Sequence, residues 1–175
     1  MRVRQRIQLL LQPVESTWFW LILALIVKAK WFVHGLFAFG GHDLQGFLGS
    51  FGGDTASYLQ PLETWFETGH YLPDHRMPGL ALVYLPLRMM MSSAGALNTM
   101  IIFQYLLAAV AVYYLAKSVY LVSGSKPLFY MVFYALLLSS YANLYDYFAL
   151  PESFCVSATI FFFYFLVIFV FLQSV

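Results

Sequence analysis

Apolar residues run along this chain in five long stretches, broken by segments of a different character. Residues 16–39 form the first stretch, interrupted only by Lys28, Lys30 and His34. Three more cover residues 97–116, 128–145 and 154–172. A membrane-spanning helix needs about 20 apolar residues, so each of these four predicts a span, over 16–39, 96–116, 127–145 and 153–172. The fifth stretch, 77–91, is shorter and holds Pro78, Gly79, Pro86 and Arg88. A run of that length and content reads as interfacial or re-entrant rather than spanning.

Between the first two spans lies a large loop, residues 40–95, rich in glycine and acidic residues. Within it, Tyr58, Leu59, Leu62, Trp65 and Phe66 recur at helical spacing, with Gln60, Glu63, Thr64 and Glu67 largely on the other face. Asp54 stands where an N-cap belongs, and Gly69 where a C-terminal stop belongs. Pro61 falls inside this pattern, which predicts a kink or a late start. An amphipathic helix next to a span lies along the membrane surface with its apolar side down. The 77–91 stretch supplies a second juxtamembrane helix, from about residue 80 to 91.

Composition agrees with this reading and narrows it. Of 175 residues, 62% are hydrophobic and only 10% charged, against about 25% charged in a soluble domain; the mean hydropathy is +0.76. Too few charges remain to cover a water-soluble globule. A cytosolic enzyme, a nucleic-acid-binding domain and a disordered tail are excluded, and the chain reads as an all-α integral membrane protein. Cys155 is the only cysteine, so an internal disulfide and a Cys-based metal cluster are excluded too.

Charge placement sets the expected orientation. Arg2, Arg4 and Arg6 sit in the 1–15 terminus, and the following apolar run is longer than a signal-peptide core and lacks a cleavage site. If 77–91 does not cross, Lys117 and Lys126 share the side of those arginines, in a cytoplasmic turn. Seven of the eight acids, all but Glu15, then face the other side. The positive-inside rule favours that arrangement: four spans, both termini cytoplasmic, the large loop extracytoplasmic.

The loop also carries the candidate chemistry. Asp54 is open to two roles, a helix N-cap or a reactive carboxylate. Arg76, beside His75 and Asp74, is a planar donor fork suited to phosphate, or an anchor at headgroup level. His75 and His70 lack ligand spacing for a metal. Glu152 opens the last span after Pro151, where a carboxylate also favours the helix dipole. No metal site is specific enough to name, although a divalent ion would find acidic groups here.

The order of these features resembles the N-terminal part of membrane glycosyltransferases of the GT-C fold, in the protein mannosyltransferase and aminoarabinose transferase-like group (glycosyltransferase family 39). The resemblance rests on Gly52-Gly53-Asp54-x-x-x-Tyr58, then Arg76-Met77-Pro78-Gly79, then Leu150-Pro151-Glu152-Ser153 two spans later. It implies a GT-C-like fold and transfer of a sugar from a polyprenyl-phosphate donor to a lipid or protein acceptor, with inversion, at the outer face of a bacterial or archaeal plasma membrane. It implies Asp54 as catalytic base, with Arg76, His75, Tyr58 and Glu152 binding substrate. This sequence departs from the family in having Thr55 after Asp54, where many relatives have Glu, and in being much shorter. On that comparison the chain reads as a truncated N-terminal module, with a C-terminal part expected as a missing partner.

Two other readings compete. One is a small non-catalytic membrane protein that binds a polyprenyl carrier or a larger membrane partner. The other is a transporter using Lys28, Lys30 and His34 as intramembrane ionisable groups.

Overall fold

In a computed structural model, residues 16–41, 44–52, 54–70 and 78–173 are described, and their regular structure is helical. The elements are α1 (Thr17–Phe39), α2 (Thr55–Thr68), a single 3-10 turn (Pro78–Leu80), α3 (Ala81–Arg88), α4 (Ser93–Ser123), α5 (Lys126–Leu138), α6 (Ser140–Leu144) and α7 (Glu152–Gln173). Among the described residues, extended pairing is limited to one isolated parallel bridge between Ser50 and Phe148.

Three helices are long and apolar enough to cross a membrane: α1, α4 and, over Glu152–Val170, α7. They lack the polar face of a soluble helix, because apolar residues surround them. Trp18, Ile26 and Phe37 on α1 and Phe162, Phe165 and Phe169 on α7 are exposed. Apolar surfaces of this extent mark contact with a membrane or with protein.

α1 covers the first apolar stretch and α7 the last. Two other expectations need correction. The second apolar stretch does not end near residue 116: α4 continues to Ser123, so Lys117 lies inside the helix and not in a turn. It stops at Gly124, whose φ of 66° is left-handed and whose N–H donates to the Tyr120 carbonyl at 2.8 Å.

The stretch 127–145 is also not one helix. It breaks at Ser139, whose backbone is extended, into the 13-residue α5 and the 5-residue α6. No Gly or Pro causes the break. Asn143 braces it: its Nδ2 donates to the carbonyls of Leu137 (3.1 Å) and Ser139 (2.7 Å), the latter also accepting the Asn143 N–H at 3.2 Å. Lys28 of α1, buried in its helix, donates in turn to Asn143 Oδ1. The side-chain amide thereby satisfies backbone groups that lipid could not.

By its internal packing the chain divides into two compact units. The first comprises Met1–Trp31, Leu106–Asn143 and Phe154–Val175. Its core gathers around Trp20, whose ring meets Phe129 edge-on at 5.2 Å and Phe133 at 4.9 Å. Ala24, Ala109 and Ala116 are fully buried beside them, the small residues that let helices approach closely in a membrane.

The second unit comprises Phe32–Tyr105 and Leu144–Ser153. Phe47, Leu59, Leu62, Tyr84, Leu97 and Leu150 are among its buried residues. Charge sorts between the two: the first holds seven of the nine Lys and Arg, the second seven of the eight Asp and Glu.

Candidate functional site

The second unit carries the loop motifs, and its geometry begins with α2. Asp54 occupies the N-cap position, but its backbone is helical and its side chain makes no cap hydrogen bond. Thr55 does the fastening instead. The Gly52 N–H donates to Thr55 Oγ1 at 2.8 Å, and that hydroxyl donates to the carbonyl of Ala149 at 3.0 Å. Thr55 is fully buried while Asp54 is exposed. The structure thus removes the capping role from the Asp54 carboxylate and leaves that group at the surface.

Gly52 lies close against Leu150. A Cβ there would lie 2.3 Å from Leu150 Cδ1, so a side chain at this position would have to displace the Leu150 side chain. Two residues earlier the backbones pair: the Ser50 N–H donates to the Tyr147 carbonyl at 3.2 Å, and the Ala149 N–H to the Ser50 carbonyl at 3.1 Å.

The 146–153 segment is held from a second direction. Gln104 of α4, fully buried, donates its amide to the Leu150 carbonyl at 2.8 Å. Buried Asp146 accepts a bond from Ser153 at 3.0 Å through Oδ1. Glu152, the first residue of α7, has one carboxylate oxygen, Oε2, that is enclosed and without a hydrogen-bond partner; Gln104 Oε1 is in the same condition. Segments that are distant in sequence, one bearing Asp54 and one bearing Glu152, are therefore joined through Thr55–Ala149 and Gly52–Leu150. Tyr58 lies half-buried on the first turn of α2. Arg76 and His75 lie outside the described residues.

α2 itself runs unbroken through Pro61, which costs the bond its N–H would have made to Ser57. Gly69 ends it as expected, with φ 74° and its N–H donating to Trp65 at 2.9 Å. Its buried side is Thr55, Leu59, Pro61 and Leu62, whereas Trp65 and Phe66 are exposed. At its other end α2 is tied to α3 by a cluster that the sequence pattern did not single out. Glu63 accepts from Arg88 Nε at 3.1 Å to each oxygen, from Ser93 Oγ at 3.0 Å and from Tyr84. The Arg88 guanidinium lies 4.2 Å from the centre of the Phe66 ring. Burial first, and the neighbouring Glu63 carboxylate second, push the Tyr84 phenol well above its ordinary value.

Sequence reasoning missed Thr55, Gln104 and Asp146 as organisers of the site. The available signal was their polarity inside otherwise apolar surroundings, clearest for Gln104 in α4. Among the described residues no three His, Cys, Asp or Glu side chains gather as a metal site. Comparison with protein-family models, curated proteins and solved structures finds no match to this chain.

Proposed function

We propose that this chain belongs to the catalytic machinery of a membrane glycosyltransferase of the GT-C type, which moves a sugar from a polyprenyl-phosphate donor to an acceptor at the extracytoplasmic face. The observation that carries the reading is the Thr55–Ala149 bond, which ties the Gly-Gly-Asp segment to the Leu-Pro-Glu segment. A shared reaction cavity would need those two motifs together, since catalysis demands near-contact geometry. The exposed Asp54 carboxylate, not engaged in capping, is a second support.

In the reaction the acceptor hydroxyl attacks the anomeric carbon from the face opposite the leaving group. The new carbon–oxygen bond forms as the bond to the carrier phosphate breaks, and the phosphate departs with the electron pair. Asp54 takes the hydroxyl proton, a contribution of about 10²–10⁴-fold for a well-placed base. Arg76 and His75 hold the phosphate, and Tyr58 and Glu152 border the sugar.

The topology that serves this reading has four crossings, the α5–α6 pair making the third, with both termini cytoplasmic. The positive-inside rule supports it, since four crossings put Arg2, Arg4, Arg6, Lys117 and Lys126 on one side. So does the apolar surface of α1 and α7.

The test is sugar transfer from a radiolabelled polyprenyl-phosphate sugar in membranes containing the chain. Asp54→Asn is expected to lower transfer by about 10²–10⁴-fold with unchanged thermal unfolding. Transfer that is unaffected by Asp54→Asn overturns the assignment of the base. Absence of transfer with normal carrier binding favours the non-catalytic carrier-binding alternative.

A further inference from the structure

Lys117 sits in a setting that the proposed sugar transfer does not use. It is covered to nine-tenths by the first unit, with its ammonium 5.9 Å from the Tyr113 ring centre and 6.0 Å from that of Tyr164. Tyr114 completes the surround, its ring 4.6 Å from Tyr164 and 5.3 Å from Tyr113. Ring faces attract the cation but accept few hydrogen bonds, and an ammonium has three to donate.

The contacts given for the Lys117 ammonium are with the rings of Tyr113 and Tyr164, and the described Arg88–Glu63 ion pair lies in the other unit. The first unit as a whole contains a single acid, Glu15, against seven bases. The fully enclosed, unpartnered polar atoms among the described residues are Trp20 Nε1, Gln104 Oε1 and Glu152 Oε2. The Lys117 ammonium is not one of them, and about a tenth of the Lys117 surface stays open.

Depth follows from Thr17, the first residue of α1, which shares a hydrogen bond with Tyr113 at 3.0 Å. Lys117 is one turn beyond Tyr113, within the last two turns of α4. It therefore lies at the end of the span, where headgroups are, and not at mid-membrane.

We infer that Lys117 and the rings of Tyr113, Tyr114 and Tyr164 form a binding site for the phosphodiester of an anionic phospholipid, on the side of the membrane where α1 begins. The chemistry recognised is a phosphate anion. A lipid rather than a free ion is its source, because the same unit exposes large apolar side chains, Trp18 at the start of α1 and Val122 near the end of α4, that suit acyl chains. The site is independent of Asp54 and would persist if sugar transfer were disproved.

The experiment uses the full chain in nanodiscs of phosphatidylcholine alone and of phosphatidylcholine with phosphatidylglycerol in equal parts. Retained lipid is counted by mass spectrometry after extraction, with thermal unfolding followed in parallel. The wild type is expected to enrich phosphatidylglycerol about fivefold, the preference one lysine supplies near a membrane surface, and to unfold about 2–4 °C higher with it. Lys117→Gln should lose both effects, Lys117→Arg should keep them, and Lys126→Gln should keep them. Equal retention of the two lipids by the wild type, or full preference in Lys117→Gln, overturns the site. Inorganic phosphate added to phosphatidylcholine discs should give no rise in unfolding temperature; a rise equal to that from phosphatidylglycerol overturns the lipid assignment in favour of a free anion. Should Lys117→Gln fail to fold, a photoreactive phosphatidylglycerol on the wild type decides: label is expected on the peptides around Tyr113 and Tyr164, and its absence there overturns the proposal.

Discussion

Thr55 and Ala149, 94 positions apart, are joined by a hydroxyl-to-carbonyl hydrogen bond of 3.0 Å. The same hydroxyl accepts the Gly52 N–H, so one buried oxygen holds a loop, a helix start and the approach to the last helix. Thr55→Val keeps the shape and strands both partners. A loss of about 1–3 kcal/mol is expected, seen as a thermal unfolding temperature lower by about 2–4 °C for each kcal/mol. Thr55→Ser should restore most of it. An unfolding temperature equal to wild type in Thr55→Val would show that the bond is not carrying the contact.

The Gly52–Leu150 approach can be tested by steric exchange. Gly52→Ala puts a methyl group into space that Leu150 occupies, at an expected cost of about 1–3 kcal/mol. Leu150→Ala makes room for it. In a double-mutant cycle the two changes should couple strongly, the pair being less destabilised than the sum of the singles. Additive effects would mean that the loop and the segment move independently.

Asn143 is predicted to be the residue that braces the break in the third apolar stretch. Asn143→Leu leaves the carbonyls of Leu137 and Ser139 without their side-chain donor and takes an acceptor from Lys28. The expected loss is about 3 kcal/mol or more, because one of the affected groups is charged. Unfolding in mixed micelles with rising dodecyl sulfate measures it. Asn143→Asp, which keeps the acceptor but not the donor, should fall between. Indifference to Asn143→Leu would remove the amide as the brace of the break.

Alkaline pH should loosen the α2–α3 junction through Tyr84. Its folded-state pKa is raised above the ordinary value of 10.0. The stability linked to the protonated phenol is therefore fully present below about pH 10 and is lost as the pH climbs beyond it. Tyr147 is shifted in the same direction by burial, so Tyr84→Phe should flatten the alkaline fall without abolishing it. Hydrogen exchange of the α2 amides against pH reads this directly, and equal slopes in the two proteins would rule Tyr84 out.

The helices that lipid alone dictates were legible from the hydrophobic pattern. α1 and α7 need only length and apolarity, and Gly69 needs only a left-handed backbone. What escaped the pattern depends on partners remote in sequence. Lys117 looked like the end of a span, yet nothing local stops the helix before Gly124. Ser139 carries no breaker signal, and the Asn143 amide that braces the break is itself held by Lys28, 115 positions away. At the candidate site, Asp54 and Thr55 are adjacent and both are good capping types. Only the Ala149 carbonyl distinguishes which one is fastened and which one is left at the surface. The Glu63–Arg88 pairing spans 25 positions and has no periodic signature.

The Lys28–Asn143 bond also orders events in time. A ribosome delivers α1 to the membrane more than a hundred residues before Asn143 emerges, and Lys28 enters an apolar environment with that partner still unmade. The stretch 127–145 is meanwhile apolar enough to insert as an unbroken rod. The contact that braces the bend at Ser139 can form only after both side chains have been synthesised, 115 positions apart.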